Sequence, residues 1–153
     1  MFVIKSKRNA SLQLLQTCCL TKEGSLGNQP FLRIFFIKNE DVECFPGEGL
    51  LPPSLITLMI HDFPKLNKLD YKGLCHLSSL QTITLRNCPI LQCLPEEGLP
   101  KSISNLHING CPLLHQLCKK QEGEDWKKIA HIKTILVDGE QVNIKDEAEI
   151  GNS

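Results

Sequence analysis

Leu80–Pro95 reads LQTITLRNCPILQCLP. Its inward-looking candidates are Leu80, Ile83, Leu85, Cys88, Leu91 and Leu94. The triplet Ile83-Thr84-Leu85 alternates apolar and polar, as a strand with one buried face must. Cys88 stands where the backbone turns off that strand, a place for a small buried side chain such as Asn or Cys. Leu91 and Leu94 then return to the interior as the chain crosses a second side. One such unit cannot bury its apolar face alone, so the pattern should recur.

It does recur. Counting 25 residues towards the N-terminus finds Leu55, Leu58, Ile60, Phe63, Leu66 and Leu69. A further 24 finds Phe31, Ile34, Phe36, Asn39, Val42 and Phe45. Counting 23 forward from Leu80 finds Ile103, Leu106, Ile108, Cys111, Leu114 and Leu117. A proline follows the turn slot in three of the four windows (Pro64, Pro89, Pro112), where a coil must leave the strand. This spacing is the leucine-rich repeat. The expected fold class is α/β, a leucine-rich-repeat solenoid with a parallel concave β-sheet of about five strands and mostly irregular convex returns.

The chain divides accordingly. Residues 1–30 fit no register and read as a degenerate or disordered N-terminal segment, ending in the loop-like KEGSLGNQP. Residues 31–118 hold four repeats, joined by returns at Glu48–Ser54, Lys72–Ser79 and Glu97–Ser102, each with Gly then Leu. Residues 119–142 read as a C-terminal cap. There Asp125 is expected to cap a short helix starting at Trp126, with Trp126 and Ile129 on one face. Ile132, Ile135 and Val137 repeat the strand spacing. Residues 143–153 are polar and read as a frayed tail. Nothing before Phe31 looks like a polar-faced cap, so the front reads as the open end of a piece of a longer array.

Lys plus Arg and Asp plus Glu both number 17, which leaves no overall charge to draw in nucleic acid or an anionic membrane. No apolar run approaches the roughly 18 residues of a membrane span, and the N-terminus lacks the layout of a signal peptide. The spelling Asn9-Ala10-Ser11 is therefore read as chance rather than a glycosylation site. Of eight cysteines, Cys88 and Cys111 fill equivalent turn slots, Cys18 and Cys19 are adjacent, and Cys44, Cys75, Cys93 and Cys118 show no C-x-x-C spacing. Buried reduced thiols in a cytoplasmic protein are expected, rather than disulfides or zinc. No nucleophile elbow, paired-carboxylate signature or metal cluster appears, and no histidine has a partner by spacing. An enzyme is not expected, nor a catalytic, metal or cofactor site.

The phrases Cys88–Leu94 and Cys111–Leu117, both CP-x-L-x-x-L, the run LPEEGLPKSISNLHINGCP and the ending GEDWKKIAHI with its I-x-x-I-x-V strand occur together here. Over residues 31–140 the chain resembles the C-terminal end of plant intracellular immune receptors, the coiled-coil, nucleotide-binding (NB-ARC), leucine-rich-repeat disease-resistance proteins. Where such proteins usually carry proline before the last strand, this chain has Lys133. The resemblance implies a recognition and autoinhibition module acting in defence. The partner it implies is a pathogen effector, a host protein or the receptor's own nucleotide-binding domain. ADP or ATP would belong to that separate domain. This chain has no phosphate-binding loop, and Gly47-Glu48-Gly49 is an isolated G-x-G.

Strand residues alternating with core slots face the concave side. From the windows above, one column is Arg33, Thr57, Thr82 and Asn105; the central one is Phe35, Met59, Thr84 and His107; the third is Ile37, His61, Arg86 and Asn109. Thr134, Leu136 and Asp138 continue them. Phe35, Met59 and Ile37 form an apolar patch, with His61, Arg86, His107 and Asn109 as a polar patch behind it. A protein-binding face is one reading; a solvated face, or one covered by a preceding domain, is the other. A repeat serving as substrate adaptor in ubiquitin ligation, and a truncated receptor fragment without function, are the alternatives at the level of the whole chain.

Overall fold

The computed structural model describes residues 32–142, and residues 2–5 as strand backbone. The sequon at Asn9, the cysteines Cys18 and Cys19, the expected core residue Phe31 and the tail 143–153 lie outside the described residues.

Five-residue strands form wherever the alternation was read: β4 (Thr57–His61), β6 (Thr82–Arg86) and β7 (Asn105–Asn109). In front of them runs β2 (Ile34–Lys38), and behind them β8 (Thr134–Val137). All pair in parallel and in sequence order, so each coil adds one strand to a continuous sheet. Leu58, Ile83, Leu106 and Ile135 stand in one row, and Ile60, Leu85, Ile108 and Val137 in the next. Seven of these eight are no more than 1% exposed, and Val137 is 6% exposed, so one apolar interior runs through every coil. The chain is a leucine-rich-repeat solenoid.

The front strand departs from the expected phase. Phe35 pairs with Leu58 and Ile37 with Ile60. Phe35 and Ile37 are therefore core residues, both fully buried, and they do not line the concave face. Ile34 is 36% exposed and Phe36 half-buried, so these two face outward instead. Arg33 lies one residue before the strand rather than on it. The reason is a missing residue. From the last inward strand residue to the small sheet on the return is eight positions in this coil (Ile37 to Phe45) and nine in the next (Ile60 to Leu69). IFFI is apolar at all four places, so either phase satisfies composition. Pairing decides, because a one-residue slip turns every side chain to the other face. The turn slot then falls to Glu40, which is 1% exposed, rather than to Asn39.

Asn39 has another task. It takes a left-handed backbone with φ 63°, as do Asp62 at 56°, Asn87 at 53°, Gly110 at 64° and Asp138 at 50°. Each follows its strand directly and turns the chain off the sheet, a conformation that Asn, Asp and Gly adopt at low cost. The backbone N–H groups of Asn39, Asp62 and Asn87 still donate to the next strand, at 3.1, 2.9 and 2.9 Å, which carries the ladder one residue past the strand end.

On the second side β3 (Cys44–Phe45) and β5 (Lys68–Leu69) make a two-stranded parallel sheet, continued by a single bridge from Lys68 to Cys93. The returns are mostly irregular, with one short helix α1 (Tyr71–Leu74), whose N-terminus Asp70 caps by accepting from the Lys72 N–H at 3.0 Å. The Leu of each Gly-Leu pair (Leu50, Leu74, Leu99) is buried, a further inward position in every return.

The fourth coil is regular on its second side. α2 (Pro112–Lys120) starts with Pro at its first turn and ends on two lysines. It buries Leu114 and Cys118, four residues apart on one face; Leu117, expected inside, is half-buried. The cap helix α3 (Gly123–Lys127) begins three residues before the expected Trp126, and Asp125 sits inside it, accepting from Lys128 Nζ at 2.8 Å. Trp126 and Ile129 do pack on the core. Beyond β8, Asp138-Gly139 turns the chain into β9 (Glu140–Gln141), antiparallel to β8. Both turn residues have positive φ, as a two-residue hairpin of this hand requires. At the front, β1 (Phe2–Lys5) lies parallel to β2. Among the described residues the main sheet thus has seven strands rather than the expected five or so, in the order β1-β2-β4-β6-β7-β8-β9.

Candidate protein-recognition surface

The sheet register sets the outward columns. The first is Ile34, Thr57, Thr82, Asn105 and Thr134; the second Phe36, Met59, Thr84, His107 and Leu136; the third Lys38, His61, Arg86 and Asn109. Nine of the twelve residues read from sequence stand where expected. Arg33, Phe35 and Ile37 give way to Ile34, Phe36 and Lys38. The missed signal was Asn39, whose alignment with Asp62 and Asn87 places the strand end at Lys38, one residue later than read. Neighbouring strands lie about 4.8 Å apart, so each column is a close-set line of side chains.

Of the expected apolar patch only Met59 stays outward, joined by Phe36 in place of Phe35, while Lys38 replaces Ile37. Phe36 meets the His61 ring edge-on, centroids 4.6 Å apart, and Met59 is its neighbour in the central column. The His61 Nε2 atom is shielded from solvent and has no hydrogen-bond partner among the described residues. Burial pushes the His61 pKa below its ordinary value, and the Arg86 guanidinium on the next strand pushes it further. His61 is therefore a neutral ring at pH 7, presenting a face rather than a charge.

Charged groups close the strand-end border of the sheet. Asp62 receives Lys38 Nζ at 3.2 Å and the Asn87 amide at 2.8 Å. The Asn87 hydrogen bond, aided by Lys38, holds this carboxyl below the usual range. Asp138 accepts the Gly110 N–H at 2.9 Å and meets His115 Nδ1 at 2.7 Å, which lowers its pKa for the same kind of reason. Along the first column, Asn105 reaches Thr82 Oγ1 at 3.4 Å.

Two other histidines serve the frame. His76 bonds the Leu51 carbonyl at 2.9 Å, and His131 the Pro100 carbonyl at 3.1 Å, each tying neighbouring returns together. Six described cysteines are free thiols. Cys88 and Cys111 are buried, and each points its thiol at the backbone carbonyl two residues earlier, Arg86 and Asn109. The adjoining Cys111 thiol, together with burial, drives the Cys88 pKa far up. Among the described residues no group of three or more His, Cys, Asp or Glu is placed to hold a metal ion. None of their helices is long and apolar enough to cross a membrane.

A parallel sheet that displays three columns of mixed apolar and polar side chains defines the class, a leucine-rich-repeat solenoid. No family model and no solved structure matches the chain. Two relatives from plants do. It is 38% identical over 102 residues, 67% of its length, to a protein of Arabidopsis thaliana named for disease resistance. Over 53 residues, 33% of its length, it is 45% identical to the disease resistance protein RGA4 of Solanum bulbocastanum. The chain covers only 7% and 5% of these two relatives.

Proposed function

We propose that this chain is a protein-recognition module of a plant intracellular immune receptor, acting in the defence response through contacts on its concave face. The observation behind this reading is the outward apolar pair Phe36 and Met59 beside His61 and Arg86, on a sheet whose strands are locked in register. Large side chains held on a rigid frame suit protein contact, since little conformational freedom is lost on docking. Their similarity to disease resistance proteins supplies the biological setting. The partner is a pathogen effector, a host protein or the receptor's own nucleotide-binding domain, met in the cytoplasm. Contact on this surface needs no metal, nucleotide or bond-making step.

The test is quantitative affinity purification from infected and healthy plant tissue with wild type, Met59→Glu and Arg86→Glu. Circular dichroism checks that each variant is folded. A protein retained by wild type and lost from both variants supports the reading. Recovery of the same proteins at the same level from all three chains refutes it.

A further inference from the structure

The chain as a whole is neutral, but its concave face is not. The outward strand positions from β2 to β8 carry two cations, Lys38 and Arg86, and no carboxylate. At the border where the strands begin, Arg33 and Lys133 are exposed and no acid adjoins them. Of the five residues that directly follow the strands at the opposite border, two are carboxylates, Asp62 and Asp138. Both are already engaged, Asp62 by Lys38 and Asn87, Asp138 by the Gly110 N–H and His115. Exposed acids such as Glu48, Glu97 and Glu124 sit on the returns and the cap, and Glu140 on the closing hairpin. Among the described residues Arg86 is thus an exposed cation without an ion pair, at the end of the middle strand β6, paired with His61 and diagonal to Met59 on the neighbouring strand.

From this charge complementarity we propose that the concave face takes an acidic segment of a protein partner. A carboxylate sits on Arg86, and a neighbouring apolar side chain rests on Phe36 and Met59. Arg86 offers paired N–H donors that match a carboxylate. The proposal rests on the docking reading above and narrows it to one kind of partner. A basic segment would face Arg33, Arg86 and Lys133 with no free acid to receive it, which is the cost that excludes wrong partners.

Display of random twelve-residue peptides on the immobilised chain tests both layers separately. The expected winners are rich in Asp and Glu with at least one large apolar residue. The expected Kd of the best peptide weakens at least tenfold with Arg86→Glu and weakens as salt rises from 50 to 500 mM, roughly as screening of exposed charges requires. Arg86→Glu should also shift new selections towards Lys and Arg. Neutral or basic winners whose binding Met59→Glu abolishes would overturn the acidic assignment while leaving the docking face in place. Winners unaffected by Met59→Glu and Arg86→Glu alike would overturn both. A dimer in light scattering that Arg86→Glu dissolves would make a second copy the occupant and overturn the partner assignment.

Discussion

Phe35 and Phe36 are adjacent, identical in composition and opposite in role, so truncating each in turn tests the register directly. Phe35 is fully buried beside Leu58 in the shared interior. A buried Phe removes on the order of 150–250 Å² of surface from water, and Phe→Ala in a core costs about 3–5 kcal/mol once the cavity is included. Against a whole-domain stability of about 5–15 kcal/mol, Phe35→Ala should remove a large share. For a chain of this size that corresponds to a fall in Tm of roughly 10 °C or more. Phe36 is half-buried and touches the His61 ring. Its loss should cost about 1 kcal/mol, the scale of an aromatic pair. The assay is urea denaturation followed by far-UV circular dichroism, which senses the secondary structure of the whole solenoid; the single tryptophan, Trp126, reports on the cap. Equal costs, or a greater cost for Phe36→Ala, would place the strand in the other phase and refute the reasoning.

Other outcomes follow from single contacts. Gly73 sits where an added Cβ would run into the Pro46 backbone, whereas Gly47 has open space. Gly73→Ala should therefore destabilise by about 1–3 kcal/mol, the usual cost of overpacking, with Gly47→Ala as the near-neutral control in the same denaturation series. The folded-state pKa of His61 is depressed by burial and Arg86, so its contribution is intact above the unfolded value of about 6.5 and is lost as pH falls below it. Arg86→Gln should raise that pKa in an NMR titration, and an unchanged midpoint would separate the two side chains. Alkylation at pH 8 read by peptide mass spectrometry should modify exposed Cys75 and Cys93 quickly. Cys118, whose pKa burial pushes up to about 11, and Cys88 should react only on unfolding; rapid labelling of either would contradict their burial.

Much of the fold was legible because β6 and β7 alternate apolar with polar residues, and the recurring slots carry that phase to β4 and β8, where Met59 and Leu136 make three successive residues apolar. Where both phases are apolar, as in Ile34–Ile37, the pattern is silent and only pairing with the next coil chooses. The first strand, FVIK, is likewise apolar in three successive residues and has no flanking slots to set a period. The α2 helix had a signal that the repeat pattern masked: Pro at the start, Leu114 and Cys118 four apart, and basic residues at the end. The closing hairpin was written in Asp138-Gly139, a dipeptide with both residues suited to positive φ. The outward columns inherit these successes and errors, since a concave residue is known only as well as its strand's phase. The segregation of charge was hidden for a different reason. It depends on which acids are engaged by neighbours 24 to 28 residues away, as with Lys38–Asp62 and Gly110–Asp138.

The residue lacking between Ile37 and Phe45 has an implication for variation. A deletion there leaves every strand aligned, since the outer path takes up the difference. The same deletion within Ile34–Lys38 would invert that strand and exchange its display for its packing. Length changes are thus neutral on one side of each loop of the spiral and disruptive on the other. A library that diversifies this surface should substitute within strands and insert only in the outer crossings.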